Sequence, residues 1–306
     1  MGEVSVFAPS HITGIFTVKD GCKKPVFKGS RGAGVSLRKG VYTTVRLEKN
    51  HRWDVSVYLN GKPVNGKMTV SLATVKKFFR LASPNKVLIN HKVEVPIGAG
   101  YGVSGACALS LSLALNEALN TGLSKVEAAQ IAHTAEIECK TGLGTVLAES
   151  FGGVEIRVEA GAPGIGSLKK IENVEKFMVL SLCWGGLPTK KFLRNEAFKK
   201  RVNMVGGVLL NKLIKNPSID SLMFLSRRFA DKLNLYTLRL KKILAGLAEL
   251  EKELRPFSMN MFGEAVFTLI ERERLGEVVR RLKLFNGFGG QLIVSDIDNL
   301  GARIIG

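Results

Sequence analysis

The chain has 306 residues, enough for two ordinary domains or one large one. With 45% hydrophobic and 23% charged residues, its composition excludes a disordered or membrane-embedded chain. A formal net charge of +19 marks anions as ligands, and nucleotides, phosphorylated metabolites and nucleic acid all qualify.

In chain order, "VSVF" reads as a strand leading into Pro9, and "VYTTVRL" and "WDVSVYL" alternate with period two, the latter running into a hairpin turn at Asn60-Gly61. A helix is expected near Val70 to Leu81, then a strand over "KVLINHKVEV" that stops at Pro96. The apolar run from Val103 to Leu119 is interrupted by Ser104, Ser110, Ser112, Asn116 and Glu117, and is too short to span a bilayer. Ser124 and Glu127 form a capping box for the helix that follows. "TGLGTVLAESFGG" reads as a glycine-rich connection into the strand "VEIRVE", whose alternation sets Val154, Ile156 and Val158 against Arg157. The glycine- and proline-rich stretch Glu159 to Ser167 is the expected linker, dividing the chain into 1–165 and 166–306.

After the linker come the strand "FMVLSL" and a helical region with leucines at Leu240, Leu244, Leu247, Leu250 and Leu254, ended by Pro256. The tail returns to strand with "AVFTLI", a basic helix, the turn "NGFGG" and "QLIVSDID". Basic clusters at Lys199 to Arg201, Arg227-Arg228 and Lys241-Lys242 fall on helices and read as solvated faces, without the interleaved aromatics that stack bases. Cys22, Cys107, Cys139 and Cys183 form no CxxC pair, and no signal peptide opens the chain; a reduced, cytoplasmic setting is expected.

The segment "PIGAGYGVSGA" carries the chemistry. Glycines at 98, 100 and 102 let successive backbone N–H groups turn inward on an anion, and the helix after them adds its unpaired N–H groups and positive dipole end. Ser104, in the first turn, offers a hydroxyl to phosphate or a metal ion. No Walker loop is present, and the GxGxxG match at Gly100 lacks the parallel strand and acidic residue of a dinucleotide fold. Glu136, near the end of the capped helix, suits the magnesium that accompanies ATP, and Arg157 suits a substrate carboxylate. His11, His51, His91 and His133 show no metal-ligand spacing and read as surface or satisfied core.

These motifs resemble the GHMP kinases. "PIGAGYGVSGA" is similar to their second motif, "FAPSHITGIF" to their first and "SMNMFGEAVF" to their third. Within them, "GSRGAGVSL" (Gly29 to Leu37) and the "TGLG" turn before "FGG" are similar to the archaeal pantoate kinases. The resemblance implies a two-domain α+β fold: an N-terminal mixed domain of the ribosomal protein S5 domain 2-like type and a helix-rich C-terminal domain closing the cleft. It implies ATP-dependent phosphorylation of (R)-pantoate to (R)-4-phosphopantoate in coenzyme A biosynthesis, with Mg²⁺, no nucleic acid, and a homodimer. It places ATP on Pro96, Gly98, Gly100, Gly102 and Ser104, magnesium on Ser104 and Glu136, and pantoate on Ser30 and Arg157.

One position departs from the family pattern. "GLGT" stands where the resemblance implies "GLGD", so Thr145 occupies the place of an aspartate that would orient the substrate hydroxyl and take its proton. Threonine cannot act as that base, and Thr145→Asp is expected to raise turnover. The alternatives are a GHMP kinase of another small hydroxy compound, such as homoserine or mevalonate, a weakened ligand-binding homologue, or a basic nucleic-acid module.

Overall fold

The computed structural model describes residues 2–64, 68–187, 195–284 and 289–305. The alternating stretches form two sheets. The strands of the first are β1 (Glu3–Phe16), β2 (Gly32–Lys49), β3 (Asp54–Leu59), β4 (Lys62–Pro63), β5 (Asn85–Val93), β6 (Val154–Glu159), β7 (Ser167–Lys170) and, at the far end of the chain, β12 (Arg303–Ile304). They run in the order β12-β1-β2-β5-β3-β4, with β6 pairing to the first residues of β2 and β7 to β6. The β3–β5 pairing is parallel and the others are antiparallel. The second sheet is antiparallel, in the order β11 (Gln291–Asp296), β8 (Phe177–Gly186), β10 (Gly263–Glu271), β9 (Ser258–Met259).

Four helices serve the first sheet: α1 (Thr69–Phe78), α2 (Val103–Ala118), α3 (Lys125–Cys139) and α4 (Thr145–Phe151). α2 packs on β1 and β2 and is wrapped by the other three, so its alanines, leucines and small polar residues are buried from Gly105 to Leu115. An all-round apolar helix belongs inside, and this one threads the core of the first half. α3 begins with the expected capping box, Ser124 accepting from Glu127 N–H while the Glu127 carboxylate accepts from Ser124 N–H. Beyond β8 come α5 (Glu196–Lys215), α6 (Ile219–Leu233), α7 (Leu238–Gly246), α8 (Ala248–Glu251) and α9 (Leu275–Leu284). α5 and α6 lie against β1, and α6 also touches β9 and β10, so one continuous apolar core runs through both sheets. No helix among the described residues is long and apolar enough to cross a membrane.

Several expectations change in three dimensions. β1 does not stop at Pro9 but passes through it with a register shift between Pro9 and Ser10, a bulge that accommodates the missing N–H. "TGLGTVLAESFGG" is not merely a connection, because Thr145–Phe151 is helical. The 159–167 stretch is not an open linker: Ala160 and Ala162 are buried, Ala162 N–H donates to Val26 O at 2.9 Å, and β7 beyond it joins the first sheet. Small residues there serve close packing, since a Cβ on Gly29 would sit 2.9 Å from Gly161 N. The leucine helix is two pieces, α7 and α8, meeting at Leu247. Of the basic clusters, Lys199 is mostly buried and pairs with Asp20 at 2.6 Å, and Arg227 pairs with Glu251 at 2.9 Å, so neither is simply solvated. The turn expected at 286–290 lies outside the described residues over 286–288.

Candidate active site

The loop between β5 and α2 closes one side of a cavity of about 520 Å³, within the range of small-molecule sites. Gly98, Gly100 and Gly102 have φ of 76°, 81° and 65°, the left-handed region closed to most side chains. Gly102 is the N-cap of α2, so the free N–H groups of the first turn, including that of Ser104, open where the loop ends. The loop rests on the "SMNMFGEAVF" segment: a Cβ on Gly100 would lie 2.7 Å from Met261 O and 3.1 Å from Gly263 N. Tyr101, 1% exposed, fixes it further, with its hydroxyl 2.7 Å from Ser181 Oγ on β8. Backbone bonds tie the same place to β1, from His11 N–H to Tyr101 O and from Met261 N–H to Thr13 O.

Ser30, Gly98, Gly100, Gly102, Ser104, Glu136, Thr145 and Arg157 all line this cavity, so residues spread from 30 to 157 meet at one site. Pro96 does not line it and instead ends the approach to the loop. Glu136, on the last turn of α3, is 2% exposed and accepts from Thr145 Oγ1 at 3.2 Å. Burial pushes its carboxyl up to about 7, and the Thr145 hydrogen bond works in the opposite direction. Gly142 leaves room for it, since a Cβ there would crowd both Glu136 oxygens.

Arg157 is 1% exposed, and its neighbours explain how a buried guanidinium is held. Nη1 lies 3.2 Å from Glu155 Oε1, whose carboxylate also meets His11 Nε2 at 3.0 and 3.1 Å. Nη2 reaches Thr13 Oγ1 at 3.5 Å. Burial lowers the Arg157 pKa from its ordinary value, and Glu155 and then Glu149 oppose that, but a guanidinium keeps its charge. Arg157 Nε has no hydrogen-bond partner, which leaves donor capacity for an anion in the cavity. Glycines in "GSRGAGVSL" make the space: a Cβ on Gly32 would strike the Arg157 guanidinium, and one on Gly34 the His11 ring.

Sequence reasoning missed three residues here: His11 and Glu155, which orient Arg157, and Glu149. The Glu149 carboxyl is fully buried, and neither oxygen has a hydrogen-bond partner. Its pKa is raised well above the carboxylate range, first by burial and then by Glu136, with Arg157 pulling the other way. The signal was four residues after Thr145, the spacing that puts two side chains on one helical face, but it is informative only once 145–151 is known to be helix.

The donor set has the chemistry of a hard divalent cation. Ser104 Oγ is buried without a partner, and the Glu136 and Glu149 carboxyls and the Thr145 hydroxyl all come within 3.3 Å of the point where a Cβ on Gly105 would sit. Among the described residues no three His, Cys, Asp or Glu gather into a metal cage. Oxygen donors with one or two carboxylates fit Mg²⁺, which completes its shell with water and phosphate. The four histidines are as expected, three of them buried and hydrogen-bonded and His51 at the surface.

Residues 69–164 match the GHMP kinases N terminal domain family. The chain is 32% identical over 278 residues to the pantoate kinase of Methanocaldococcus jannaschii, covering 91% of this chain and 97% of that one. It is 33% identical over 287 residues to the pantoate kinase of Thermococcus kodakarensis, covering 92% and 93%. Among solved structures, a phosphotransferase related to the CoA biosynthesis pathway superposes with a TM-score of 0.89 at 29% identity, over 99% of both chains. Mevalonate diphosphate decarboxylase from Staphylococcus aureus, at 18% identity and a TM-score of 0.75 over 99% and 98%, shares the fold. The glycine loop, the third-motif floor beneath it and this similarity along the full length agree: the chain belongs to the pantoate kinases of the GHMP kinase superfamily.

Proposed function

We propose that the protein transfers the terminal phosphoryl group of ATP to the terminal hydroxyl of (R)-pantoate, giving (R)-4-phosphopantoate for coenzyme A biosynthesis. The observation that carries this reading is kinship with pantoate kinases over more than nine-tenths of the chain, on a cavity whose lining includes both an anion cradle and a buried guanidinium.

The roles follow from the donors each residue offers. The N–H groups around Gly98, Gly100 and Gly102 and the first turn of α2 gather the nucleotide's phosphate charge, which is where a positive helix end is most effective. Ser104 and Glu136 hold Mg²⁺. When bound, that ion supplies positive charge against the β- and γ-phosphates. Glu136 would meet the cation as a carboxylate, and burial, which pushes its carboxyl up to about 7, opposes that ionisation until the ion is present. Arg157 forks onto the pantoate carboxylate, held at its angle by Glu155 and His11, and Ser30 binds beside it.

Thr145 has no basicity to offer, so its part is orientation. A loose phosphoryl-transfer transition state asks for alignment and charge neutralisation more than early proton removal, and the acceptor hydroxyl can lose its proton late. Enclosure of the reacting groups removes water from them. Phe16, Met261 and Phe262 line the same cavity and make that enclosure apolar.

The test is ADP release by the purified protein with ATP and Mg²⁺ across pantoate, homoserine and mevalonate, with the product located by ³¹P NMR. Pantoate should stimulate ADP release far above the acceptor-free rate. Equal rates with and without pantoate reject the reading.

A further inference from the structure

Glu149 is unusual among the buried side chains of this site. It lies on the inner face of α4, with 0% of its surface exposed, and neither carboxyl oxygen meets a donor or an acceptor. Its surroundings would ordinarily exclude such a group. Arg157 attracts it through space, but no ion pair joins the two, and the other charges acting on it, Glu136 and Glu155, are both acidic. Protonation does not resolve the problem. An un-ionised carboxyl has a hydroxyl that needs an acceptor, and none is within reach. Buried polar groups left unpaired in this way need a specific explanation, and a bound ion is one of the few.

The chain also makes room for this carboxyl. A Cβ on Gly102 would lie 2.5 Å from Glu149 Oε1, and one on Gly105 would lie 2.7 Å from Oε2. Gly102 and Gly105 therefore put no side chain against Glu149, which sits behind the cavity lining formed there by Gly102, Val103 and Ser104. Over Gly105, Glu149 Oε2 shares its space with Glu136 Oε1 and Thr145 Oγ1. Thr145 and Glu149 stand one helical turn apart on one face of α4, so that face brings a hydroxyl and a carboxylate to the same gap.

We propose that Glu149 is a second carboxylate of the cation site, acting with Glu136 to hold the divalent ion that accompanies the nucleotide. This rests on the kinase reading above. It adds a second negative group to a site whose other side chains at the gap are one carboxylate and one hydroxyl, and it supplies the missing partner for a carboxyl that has none.

The experiment measures Mn²⁺ affinity by electron paramagnetic resonance in the presence of a non-hydrolysable ATP analogue, with ADP affinity in EDTA and melting temperature measured beside it. Glu149→Gln preserves shape and removes charge. It is expected to weaken Mn²⁺ at least ten-fold while leaving metal-free ADP affinity within about three-fold. Glu149→Asp, which keeps the charge on a shorter arm, should recover most of that loss. Glu149→Gln affinity within two-fold of wild type overturns the proposal, as does Glu149→Asp as weak as Glu149→Gln, which would make the effect steric. Glu136→Gln in the same series separates the two readings. If it loses Mn²⁺ while Glu149→Gln does not, only the role of Glu149 fails; if wild type binds no Mn²⁺ with nucleotide, both fail.

Discussion

Thr145 donates its hydroxyl to Glu136 Oε2 across 3.2 Å, so the residue standing where the resemblance implies an acid is the one side-chain hydrogen-bond donor to the buried Glu136 carboxyl among the described residues. The bond links the end of α3 to the start of α4, and both helices reach it through glycine: Gly142 clears the carboxylate and Gly144 clears Ser30.

Removing that donor tests its worth. A hydrogen bond to a charged group contributes about 1.5–3 kcal/mol, and each 1.4 kcal/mol is a factor of ten. Thr145→Val is expected to lower kcat by about ten-fold with a small change in the KM for pantoate. Thr145→Asp brings a carboxylate to the same cavity wall and is expected to raise kcat at saturating Mg²⁺, while lowering the melting temperature of the metal-free protein through repulsion with Glu136 and Glu149. Steady-state kinetics with thermal unfolding in EDTA checks both, and an unchanged kcat in Thr145→Val removes the hydrogen bond from the mechanism.

Arg157 separates binding from stability. Its guanidinium balances Glu155 with both side chains buried, and breaking a buried pair by removing one partner costs about 3–5 kcal/mol. Arg157→Ala is therefore expected to fold poorly. Arg157→Lys keeps the charge but loses the planar fork, and should raise the KM for pantoate at least ten-fold while the KM for ATP stays within about three-fold. Equal effects on both constants would mean that Arg157 shapes the whole cleft instead of one ligand.

The glycine loop and the helix behind it were legible because their chemistry is local. Positive φ at 98, 100 and 102, an N-terminus at Val103 and a capping box at Ser124 each depend on a few neighbouring residues, so pattern alone placed them. Arg157, on a strand of period two, and Glu136, near the end of the capped helix, were singled out from the same local cues, and both line the cavity. What period could not give was partnership. Glu155 alternates with Val154 and Ile156 and looks solvent-facing, yet it is buried because β6 pairs with β2 and turns that face toward His11. The 159–167 stretch misled for a related reason: glycine and proline signal a turn equally well in a free linker and in a segment packed between β6 and β7, and only the tertiary contacts distinguish them.

Gly105 offers a cleaner probe of the cation site than any charged residue. In a helix, alanine is ordinarily better than glycine by roughly 1 kcal/mol, so Gly105→Ala should not harm α2 by itself. Its new methyl would enter the space shared by Thr145 Oγ1, Glu149 Oε2 and Glu136 Oε1. Affinity for ADP with Mg²⁺ is expected to fall at least ten-fold by calorimetry, with metal-free ADP affinity and helical content nearly unchanged. Retention of the magnesium effect would show that the ion sits away from this gap.

His91 sets the acid limit of the fold. It is fully buried on β5, with Nδ1 2.7 Å from Thr43 Oγ1 and Nε2 3.0 Å from Ser71 Oγ, while Ser110 Oγ stands 2.6 Å from Thr43 Oγ1. Among the described residues no acid pairs with it, and burial lowers its pKa to about 4 from the ordinary 6.5. The ring is neutral in the folded protein, whereas in the unfolded chain it takes a proton below about pH 6.5. Its contribution to stability is therefore complete above pH 6.5, declines as the pH falls toward 4, and has gone below that. The shift corresponds to about 3 kcal/mol at most. Glu136 and Glu149, with raised values, act in the opposite direction, but equally in any variant at position 91. His91→Asn keeps one hydrogen bond and cannot titrate, so it should be less stable than wild type at pH 7 and approach it near pH 4. Urea titrations at half-unit steps across that window check the sign, and parallel curves for the two proteins would move the acid sensitivity elsewhere in the molecule.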